Sequence, residues 1–203
     1  MSTVAIAEQV TTIEESLRSG GVVVVPTDTV YGIAVSPNHA VSVERLYELK
    51  QRPRHMNLPI MVADIAAMEA LGIAINDRAR RLLESDFVPG ALTLVMGFVN
   101  EPTAPWLTGR EEVAIRIPND ERLLAVLHAT GPLLVTSANA SGQNTPRDVG
   151  DILAQLHGTP DLAIDGGAIE TIPSTIVNCQ FDPPKVEREG VIPTAQIEAL
   201  LND

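Results

Sequence analysis

A run of four valines followed by a short polar segment constrains the fold of this chain most. Residues 22–25 are Val-Val-Val-Val, and residues 26–32 are Pro-Thr-Asp-Thr-Val-Tyr-Gly. The valines predict a strand that is buried on both faces, since the run is β-branched and too short for a helix. Pro26 should end this strand, because proline cannot donate a hydrogen bond to a sheet. The polar segment is then either a binding site held by a rigid strand or an ordinary corner whose side chains satisfy local backbone groups.

The composition is that of a globular protein with an aliphatic core. Of the 203 residues, 45% are hydrophobic and 20% are charged, and the aromatic residues are only three Phe, two Tyr and one Trp. Valine, isoleucine, leucine and alanine must therefore fill the interior. A chain of this length can build one sizeable core, so we expect residues 1–203 to form a single domain.

The charge balance argues against nucleic acid as a main partner. The chain has 14 Lys and Arg against 26 Asp and Glu, which gives a net charge of −12. Such a field repels polyanions at long range, so binding of nucleic acid is expected to be weak or absent. The only cysteine, Cys179, rules out an intrachain disulfide, and the four histidines show no metal-ligand spacing. We predict no metal site built from protein side chains.

The N-terminal sequence does not have the basic, then apolar, then small-residue order of a signal peptide. No apolar run approaches the roughly eighteen residues that a membrane-spanning helix needs. These features predict a cytoplasmic protein that does not associate with membranes.

Helical and strand patterns are interleaved along the chain. Helices are predicted at 4–19, 39–51, 64–71, 77–85, 120–130, 148–157 and 194–201, with Asn38 as N-cap of the second. Strands are predicted at 22–25, 58–62, 92–98, 113–118, 133–135, 162–164, 175–179 and 185–188. Several strands are close enough in sequence to pair antiparallel. The prediction is a mixed α/β (α+β) fold, with a twisted, largely mixed or antiparallel sheet and flanking helices.

Three polar segments follow or precede buried strands. They are residues 27–31, residues 136–145 and residues 173–175. Hydroxyl, amide and free backbone N–H groups at strand ends suit phosphate or carboxylate oxygens. None of these segments has the spacing of a P-loop, a dinucleotide-binding glycine motif or a nucleophile elbow. An anion site here would therefore be of another type.

Basic residues lie near these segments. Lys50 and Arg52 lie at the end of a predicted helix, Arg116 interrupts an apolar strand, and Arg188 precedes Glu189-Gly190 near the C-terminus. Burying Arg116 requires a partner, which is either an internal carboxylate or a ligand. Paired carboxylates for acid–base chemistry and a Ser-His-Asp set find no support in the sequence. The residues favour a site that holds a polyphosphate by cations and hydroxyl donors, with Mg²⁺ bound mainly through the phosphates.

The motifs, taken together and in order, resemble those of YrdC-type threonylcarbamoyl-AMP synthases in the single-domain form. The resemblance covers about residues 10–192. The matching motifs are residues 26–32, Lys50-x-Arg52, residues 89–94, residues 113–118, residues 137–142, residues 173–177 and Arg188-Glu189-Gly190.

The resemblance implies a nucleotidyltransferase with the YrdC-like fold. It would condense L-threonine, bicarbonate and ATP to threonylcarbamoyl-AMP and pyrophosphate, with Mg²⁺ carried by the ATP. A separate tRNA threonylcarbamoyl-transferase complex would then use the product to modify tRNA. By position, the catalytic and ATP-binding signature falls on Lys50, Arg52, Ser137 and Asn139, and Thr145 and Arg188 lie along the nucleotide. The threonine-binding residues would be Thr29, Tyr31, Arg116 and Ser174, with Thr29 the favoured contact in its segment.

The sequence departs from the family pattern in a few places. Asp28 stands where Glu is usual, Ala63 stands where some members have a threonine-contacting histidine, and Glu189 replaces a common proline. Three alternatives have the same fold: a nucleotide-binding paralogue without synthase activity, a double-stranded-RNA-binding module, and the carbamoyl-transfer domain of hydrogenase maturation. The pair Ser137 and Asn139 disfavours the first, because divergent relatives tend to lose it. The net charge disfavours the second, and the single cysteine disfavours the third.

Overall fold

Strands from the whole length of the chain join into one sheet in the computed structural model, which describes residues 3–202. The helices of this range are α1 (Thr3–Arg18), α2 (Ala40–Lys50), α3 (Ile65–Ala70), α4 (Asp77–Leu83), α5 (Glu121–Thr130), α6 (Val149–Gln155) and α7 (Thr194–Asn202). The strands are β1 (Val23–Val25), β2 (Gly32–Val35), β3 (Ile60–Met61), β4 (Leu92–Met96), β5 (Val113–Arg116), β6 (Leu133–Ser137), β7 (Leu162–Ala163), β8 (Thr175–Asn178) and β9 (Lys185–Arg188). Within this range, no helix combines the length and the apolar character that crossing a membrane requires.

The sheet order is β7-β1-β2-β6-β3-β5-β4-β8-β9. Antiparallel pairs (β1–β2, β2–β6, β3–β6, β4–β5 and β8–β9) alternate irregularly with parallel ones (β1–β7, β3–β5 and β4–β8). The predicted mixed sheet with flanking helices is confirmed. Neighbouring strands in the sheet are often distant in sequence, so residues from all parts of the chain meet at its centre.

The structure corrects three local predictions. Strand β2 was not predicted, and its four residues are all buried because it pairs with β1 on one side and β6 on the other. Residues 26–31 are therefore the loop of a hairpin between two adjacent, non-edge strands of the sheet. Strand β6 continues to Ser137, two residues beyond the predicted end, through its pairing with Gly32. The N-cap of α2 is His39 rather than Asn38, and it forms no side-chain capping bond.

The valine strand is buried on both faces, as predicted. Val22 and Val24 belong to the larger hydrophobic core on one side of the sheet. Val23 and Val25 belong to a second core on the other side, beneath α1 and α5. This alternation follows from the two-residue period of a strand. The strand that precedes the polar loop is therefore a rigid support.

The second core covers only part of its sheet face. Among the described residues, its strand members come from β1, β2, β3 and β6, and none comes from β4, β5, β8 or β9. The register places Met61 of β3 beside Arg116 of β5 and places Thr93 beside Ile176. These four side chains point to the same face of the sheet as the second core. They lie at or beyond the limit of the area that α1 and α5 cover. The uncovered part of this face forms the floor of the candidate site.

Candidate active site

A cavity of about 120 Å³ lies on the uncovered part of this sheet face. Its floor is formed by side chains of the central strands, namely Met61, Thr93, Ala114, Arg116, Val135 and Ile176. Its walls come from the hairpin loop 27–31, the end of β6, residues 173–174 and Arg188. The three polar segments that the sequence analysis singled out therefore meet around one cavity.

The hairpin loop combines both interpretations that the sequence left open. The hydroxyl of Thr27 donates to the carbonyl of Val30 at 2.7 Å and accepts from the N–H of Thr29 at 3.1 Å. Thr27 thus holds the backbone of the loop. The Thr29 hydroxyl contacts that of Thr27 at 3.2 Å and accepts a bond from Arg116 at 2.8 Å in the cavity wall. Thr29 is therefore the side chain of this loop that is placed to meet a ligand together with an arginine.

Tyr31 borders the cavity, but its hydroxyl is directed away to residues 166–167. The phenol oxygen donates to the carbonyl of Gly167 at 2.7 Å and accepts from the N–H of Gly166 at 2.9 Å. The side chain is fully buried, and this burial raises the pKa of Tyr31. The hydroxyl proton is thus already engaged, and Tyr31 could donate it to threonine only by giving up the bond to Gly167. In this structure the hydroxyl fastens the 166–167 turn to the sheet.

Arg116 has both an internal partner and the capacity to bind a ligand. Its Nη2 lies 2.7 Å from Asp28 Oδ1, and its Nε donates to the carbonyl of Gly90 at 2.8 Å. With the bond to Thr29, three of the five guanidinium N–H groups are used, which leaves two donors. Desolvation lowers the pKa of Arg116, and the neighbouring carboxylate of Asp28 opposes this shift. The internal carboxylate predicted as one alternative is thus Asp28, and it orients the guanidinium in the cavity.

A second guanidinium borders the same cavity. Arg188 donates through Nε and Nη2 to the carbonyl of Ser174, at 3.2 and 2.8 Å. The hydroxyl of Ser174 lies 2.8 Å from that of Thr93, a residue that the sequence analysis did not select. Its signal was a polar side chain in the apolar strand Leu-Thr-Leu-Val-Met. Desolvation lowers the pKa of Arg188, and the charge of Arg116 adds to this effect. Two cations close to one cavity favour a carboxylate or phosphate ligand.

The loop after β6 is organised by the side chain of Asn139. Its Oδ1 accepts bonds from the hydroxyls of Ser137 and Thr145, at 2.5 and 3.1 Å. Its Nδ2 donates to the carbonyls of Ala140 and Gln143, at 2.8 and 2.7 Å. All four hydrogen-bonding positions of the amide are therefore filled within the loop. Asn139 and Thr145 hold the shape of this loop, and Ser137 is its member in the cavity wall.

Lys50 supports the same loop from behind. Its ammonium group donates to the backbone carbonyls of Ser137 and Asn139, and its own carbonyl accepts from the N–H of Ser141 at 2.7 Å. The residue is 1% exposed and does not line the cavity. Burial lowers the pKa of Lys50 to about 7, and the charge of Arg52 adds to this shift. The structure gives Lys50 a positioning role, and its predicted contact with ATP stays a prediction.

Arg52 is placed by the end of helix α2. Gln51 adopts a left-handed conformation with φ of 48°, and the N–H of Arg52 bonds to the carbonyl of Tyr47 at 2.9 Å. The guanidinium then donates to the carbonyls of Met56 and Asn57, each at 3.0 Å. Arg52 lies outside the cavity wall, beside the segment that leads to Pro59 in the wall. The predicted site residues therefore fall into two sets. Those that line the cavity are Thr29, Tyr31, Arg116, Ser137, Ser174 and Arg188, and those that do not are Lys50, Arg52, Asn139 and Thr145.

The size of the cavity limits what it can enclose. Pockets that enclose drug-sized ligands measure about 300–1,000 Å³, well above the 120 Å³ found here. The cavity therefore suits a small polar molecule, and a nucleotide has to extend beyond it. Among residues 3–202, no three His, Cys, Asp or Glu side chains gather in a way that could hold a metal ion.

Comparison with known proteins identifies the family. The family model for the Sua5/YciO/YrdC domain, described as telomere recombination, matches residues 15–190. The chain belongs to the Sua5/YciO/YrdC family. The resemblance to YrdC-type proteins inferred from the motifs is confirmed, and the match extends over most of the chain.

Relatives of this family differ in length. The chain is 36% identical over 188 residues to a threonylcarbamoyl-AMP synthase of Bacillus subtilis, covering 91% of this chain and 54% of that protein. Pyrococcus abyssi Sua5, solved in complex with L-threonine, superposes with a TM-score of 0.85 at 31% identity, covering 95% of this chain and 57% of Sua5. Escherichia coli YciO superposes with a TM-score of 0.80 at 29% identity, covering 92% and 91%. The chain thus spans about half the length of the first two relatives and nearly all of the third.

Proposed function

We propose that this protein is an L-threonylcarbamoyladenylate synthase, which condenses L-threonine, bicarbonate and ATP to threonylcarbamoyl-AMP and pyrophosphate. The observation that carries the proposal is a small cavity bordered by Arg116, Arg188 and the hydroxyls of Thr29 and Ser174. Its size and charge suit a small amino acid. The similarity to a threonylcarbamoyl-AMP synthase, and to a Sua5 solved with L-threonine, supports this choice of substrate.

The cavity would bind threonine through its carboxylate. Arg116 has two unused N–H donors, and charge-assisted bonds from a guanidinium to a carboxylate are among the strong hydrogen bonds in proteins. Asp28 and Gly90 fix the guanidinium in place, so little rotational entropy is lost when the ligand binds. The hydroxyls of Thr29 and Ser174 supply further polar contacts, and Ala114 and Val135 supply an apolar surface for the threonine methyl group.

The reaction would proceed in two steps. The amine of threonine and bicarbonate form a carbamate with loss of water, and a carbamate oxygen then attacks the α-phosphorus of ATP as pyrophosphate leaves. The protein would contribute orientation and neutralisation of charge, since no described side chain is placed as an evident general base. Ser137 lines the cavity on a loop held by Lys50 and Asn139, and the nucleotide would lie beyond it. Mg²⁺ would arrive with ATP and be bound mainly by its phosphates.

The product would pass to a separate transferase complex that modifies tRNA. A net charge of −12 favours little direct binding of tRNA by this chain. This assignment agrees with the tRNA-modification role that the resemblance implies.

The test is pyrophosphate release by the purified protein with ATP, Mg²⁺, bicarbonate and L-threonine. We expect release to depend on threonine and to fall about a hundredfold in Arg52→Ala, a loss that corresponds to one strong interaction with a phosphate in the transition state. Arg81→Ala is the matched control, because Arg81 is exposed on α4 and its loss changes the net charge equally. Pyrophosphate release that is indifferent to threonine would refute the assignment of substrate.

A second candidate is a same-fold nucleotide-binding protein without synthase activity. The chain covers 91% of YciO, a relative whose name states no synthase activity, and this likeness is the reason to test the candidate. This candidate predicts binding of ATP with no threonine-dependent release of pyrophosphate. The double-stranded-RNA-binding alternative predicts retention of RNA in a filter assay at low salt, and absence of retention there would exclude it.

A further inference from the structure

An apolar cleft of about 490 Å³ lies where the C-terminal ends of the parallel strands β3 and β5 meet. Eight of its nine lining residues are apolar, and the ninth is Asp64. Among the described residues, none lines both this cleft and the cavity of the candidate active site. The cleft is therefore a separate feature of the surface, and a molecule bound in it does not occupy the cavity.

The apolar walls of the cleft face solvent. Ala66 and Pro89 are exposed, and Ile65, Val88 and Leu124 are half-buried. Neighbouring apolar side chains at the surface, with a polar rim around them, are typical of an interaction site. The volume lies within the range of about 300–1,000 Å³ that is usual for binding pockets, so the cleft can take large apolar side chains of a partner.

The rim of the cleft is acidic. Its three segments, residues 63–66, 83–89 and 117–124, contain five carboxylates, namely Asp64, Glu84, Asp86, Asp120 and Glu121. Among the described residues only Glu84 of these forms an ion pair, at 3.8 Å with Arg80. The single basic residue of the segments, Arg122, has its Nε and Nη1 buried. The charge that the rim presents to solvent is therefore mainly negative.

The position of the cleft in the fold determines which kind of segment fits it. Strands β3 and β5 lie inside the sheet, with β6 and β4 as their outer neighbours, so neither offers a free edge to an extended peptide. The walls are instead formed by residues of helices α3, α4 and α5 and of the loops beside them. An apolar groove between helices suits the apolar face of a further helix.

We propose that this cleft is a docking site for a protein partner and that it binds a basic amphipathic helix. Large apolar side chains of that helix enter the cleft, and its Lys or Arg side chains face the acidic rim. The charge of the rim selects against acidic segments, because like charges across an interface are unfavourable. The proposal is independent of the synthase reaction, since it rests on residues outside the cavity.

A partner bound here lies beside the support of Arg116. The N–H of Gly90 donates to the carbonyl of Ile117 at 2.9 Å, and the carbonyl of Gly90 accepts from Nε of Arg116 at 2.8 Å. Pro89 and Ile117, which line the cleft, are thus the immediate neighbours of the residues that hold this guanidinium. The docking site and the candidate active site share a backbone frame while keeping separate surfaces.

The test is a titration of the ¹⁵N-labelled full chain, followed by amide chemical shifts. The probe is a peptide of about fifteen residues, made of Leu, Ala and Lys in a helical amphipathic pattern, and its counterpart has Glu in place of Lys. We expect the Lys peptide to shift amides in residues 63–66, 83–89 and 117–124. The Glu peptide should bind at least about tenfold more weakly.

Two matched variants locate the binding. Ala66→Lys places a long cation in the wall of the cleft and should weaken binding of the Lys peptide about tenfold. Ala70→Lys makes the same change at an exposed position of the same helix, outside the cleft, and should bind within about twofold of the wild type. If Ala66→Lys does not fold, Glu121→Lys reverses a charge one turn before Leu124 and should weaken binding by a similar factor.

Four results would overturn the proposal. Equal affinity for the Lys and Glu peptides would mark a site for apolar groups without preference for charge. Equal losses in Ala66→Lys and Ala70→Lys would show diffuse attraction to an acidic surface. Shifts of the same amides on dilution without peptide would make a second copy of the chain the occupant. Absence of binding at about 1 mM Lys peptide would leave the cleft without the proposed partner class.

Discussion

The buried lysine behind the candidate site makes the stability of the protein dependent on pH in a specific way. Lys50 is 1% exposed and reaches two backbone carbonyls, those of Ser137 and Asn139. Burial lowers its pKa from 10.5 to about 7. Lys50→Met keeps the length of the side chain and removes the titrating group. The comparison of these two proteins across pH therefore isolates the protonation of Lys50.

The sign of the effect follows from proton binding. Between the folded pKa of about 7 and the unfolded value of 10.5, the unfolded chain holds a proton on Lys50 that the folded protein lacks. Stability of the wild type therefore rises with pH across this window, and the full cost of burying the charge is present below it. One proton changes the unfolding equilibrium constant about tenfold per pH unit. From about pH 7 to about pH 9.5 the wild type should gain about a hundredfold relative to Lys50→Met, or about 3 kcal/mol.

The assay is urea unfolding followed by circular dichroism, for both proteins at several pH values in this range. The methionine leaves two carbonyls without a donor, but this cost does not vary with pH and cancels from the comparison. All other titrating groups are common to both proteins. A difference in unfolding free energy that stays constant between the two ends of the range would refute the reasoning. It would show that the two carbonyls keep Lys50 protonated despite its burial.

Two further substitutions test the frame of the cavity. Arg116→Met should abolish measurable threonine binding in calorimetry. It should also lower the free energy of unfolding by about 3 kcal/mol, because it leaves the carboxylate of Asp28 without its ion-pair partner. Threonine affinity within about twofold of the wild type would contradict this role. Gly190→Ala should lower the melting temperature, because its Cβ would lie 2.2 Å from the carbonyl oxygen of Pro173. The matched change Gly150→Ala, in the first turn of helix α6, should have a much smaller effect, because its Cβ would meet only a side-chain oxygen of Asp148 at 3.3 Å; equal losses for the two alanines would refute the steric explanation.

Local signals predicted most elements of the fold. Hydrophobic patterns that match a helix or strand period over several residues predicted these elements correctly. Examples are the valine strand, the helix around Leu123 and Leu127, and the strand at 133–135. Strand β2 was missed, because its short sequence Gly-Ile-Ala-Val carries little signal of its own. Its state is decided by hydrogen bonds to two partner strands, one of which lies about a hundred residues away in sequence. Such pairing is a property of the tertiary structure.

The candidate site shows the same division. The order and identity of the motifs pointed to the family and to residues such as Arg116 and Ser137 without any coordinates. The partner of Arg116 was left open between a ligand and a carboxylate, and only the fold brings Asp28 to within 2.7 Å of it. The role of Lys50 also depends on the fold, because its ammonium meets carbonyls of a loop that follows it by almost ninety residues. Backbone carbonyls are present at every residue, so no sequence motif can indicate which ones a lysine will reach.

The sequence by itself determined the family, the class of fold, the aliphatic core and the three polar segments around which the site is built. These are recorded in residue identity and short-range periodicity, which the chain carries whether or not it is folded. The tertiary structure decided which hydroxyls face the cavity, which ones hold the backbone, and how small the cavity is. It also brought Arg110 to the carbonyl of Leu58, next to the carbonyls that Arg52 reaches, although the two arginines are far apart in sequence. Those properties depend on distances between residues that are remote along the chain, and such distances exist only once the sheet has formed.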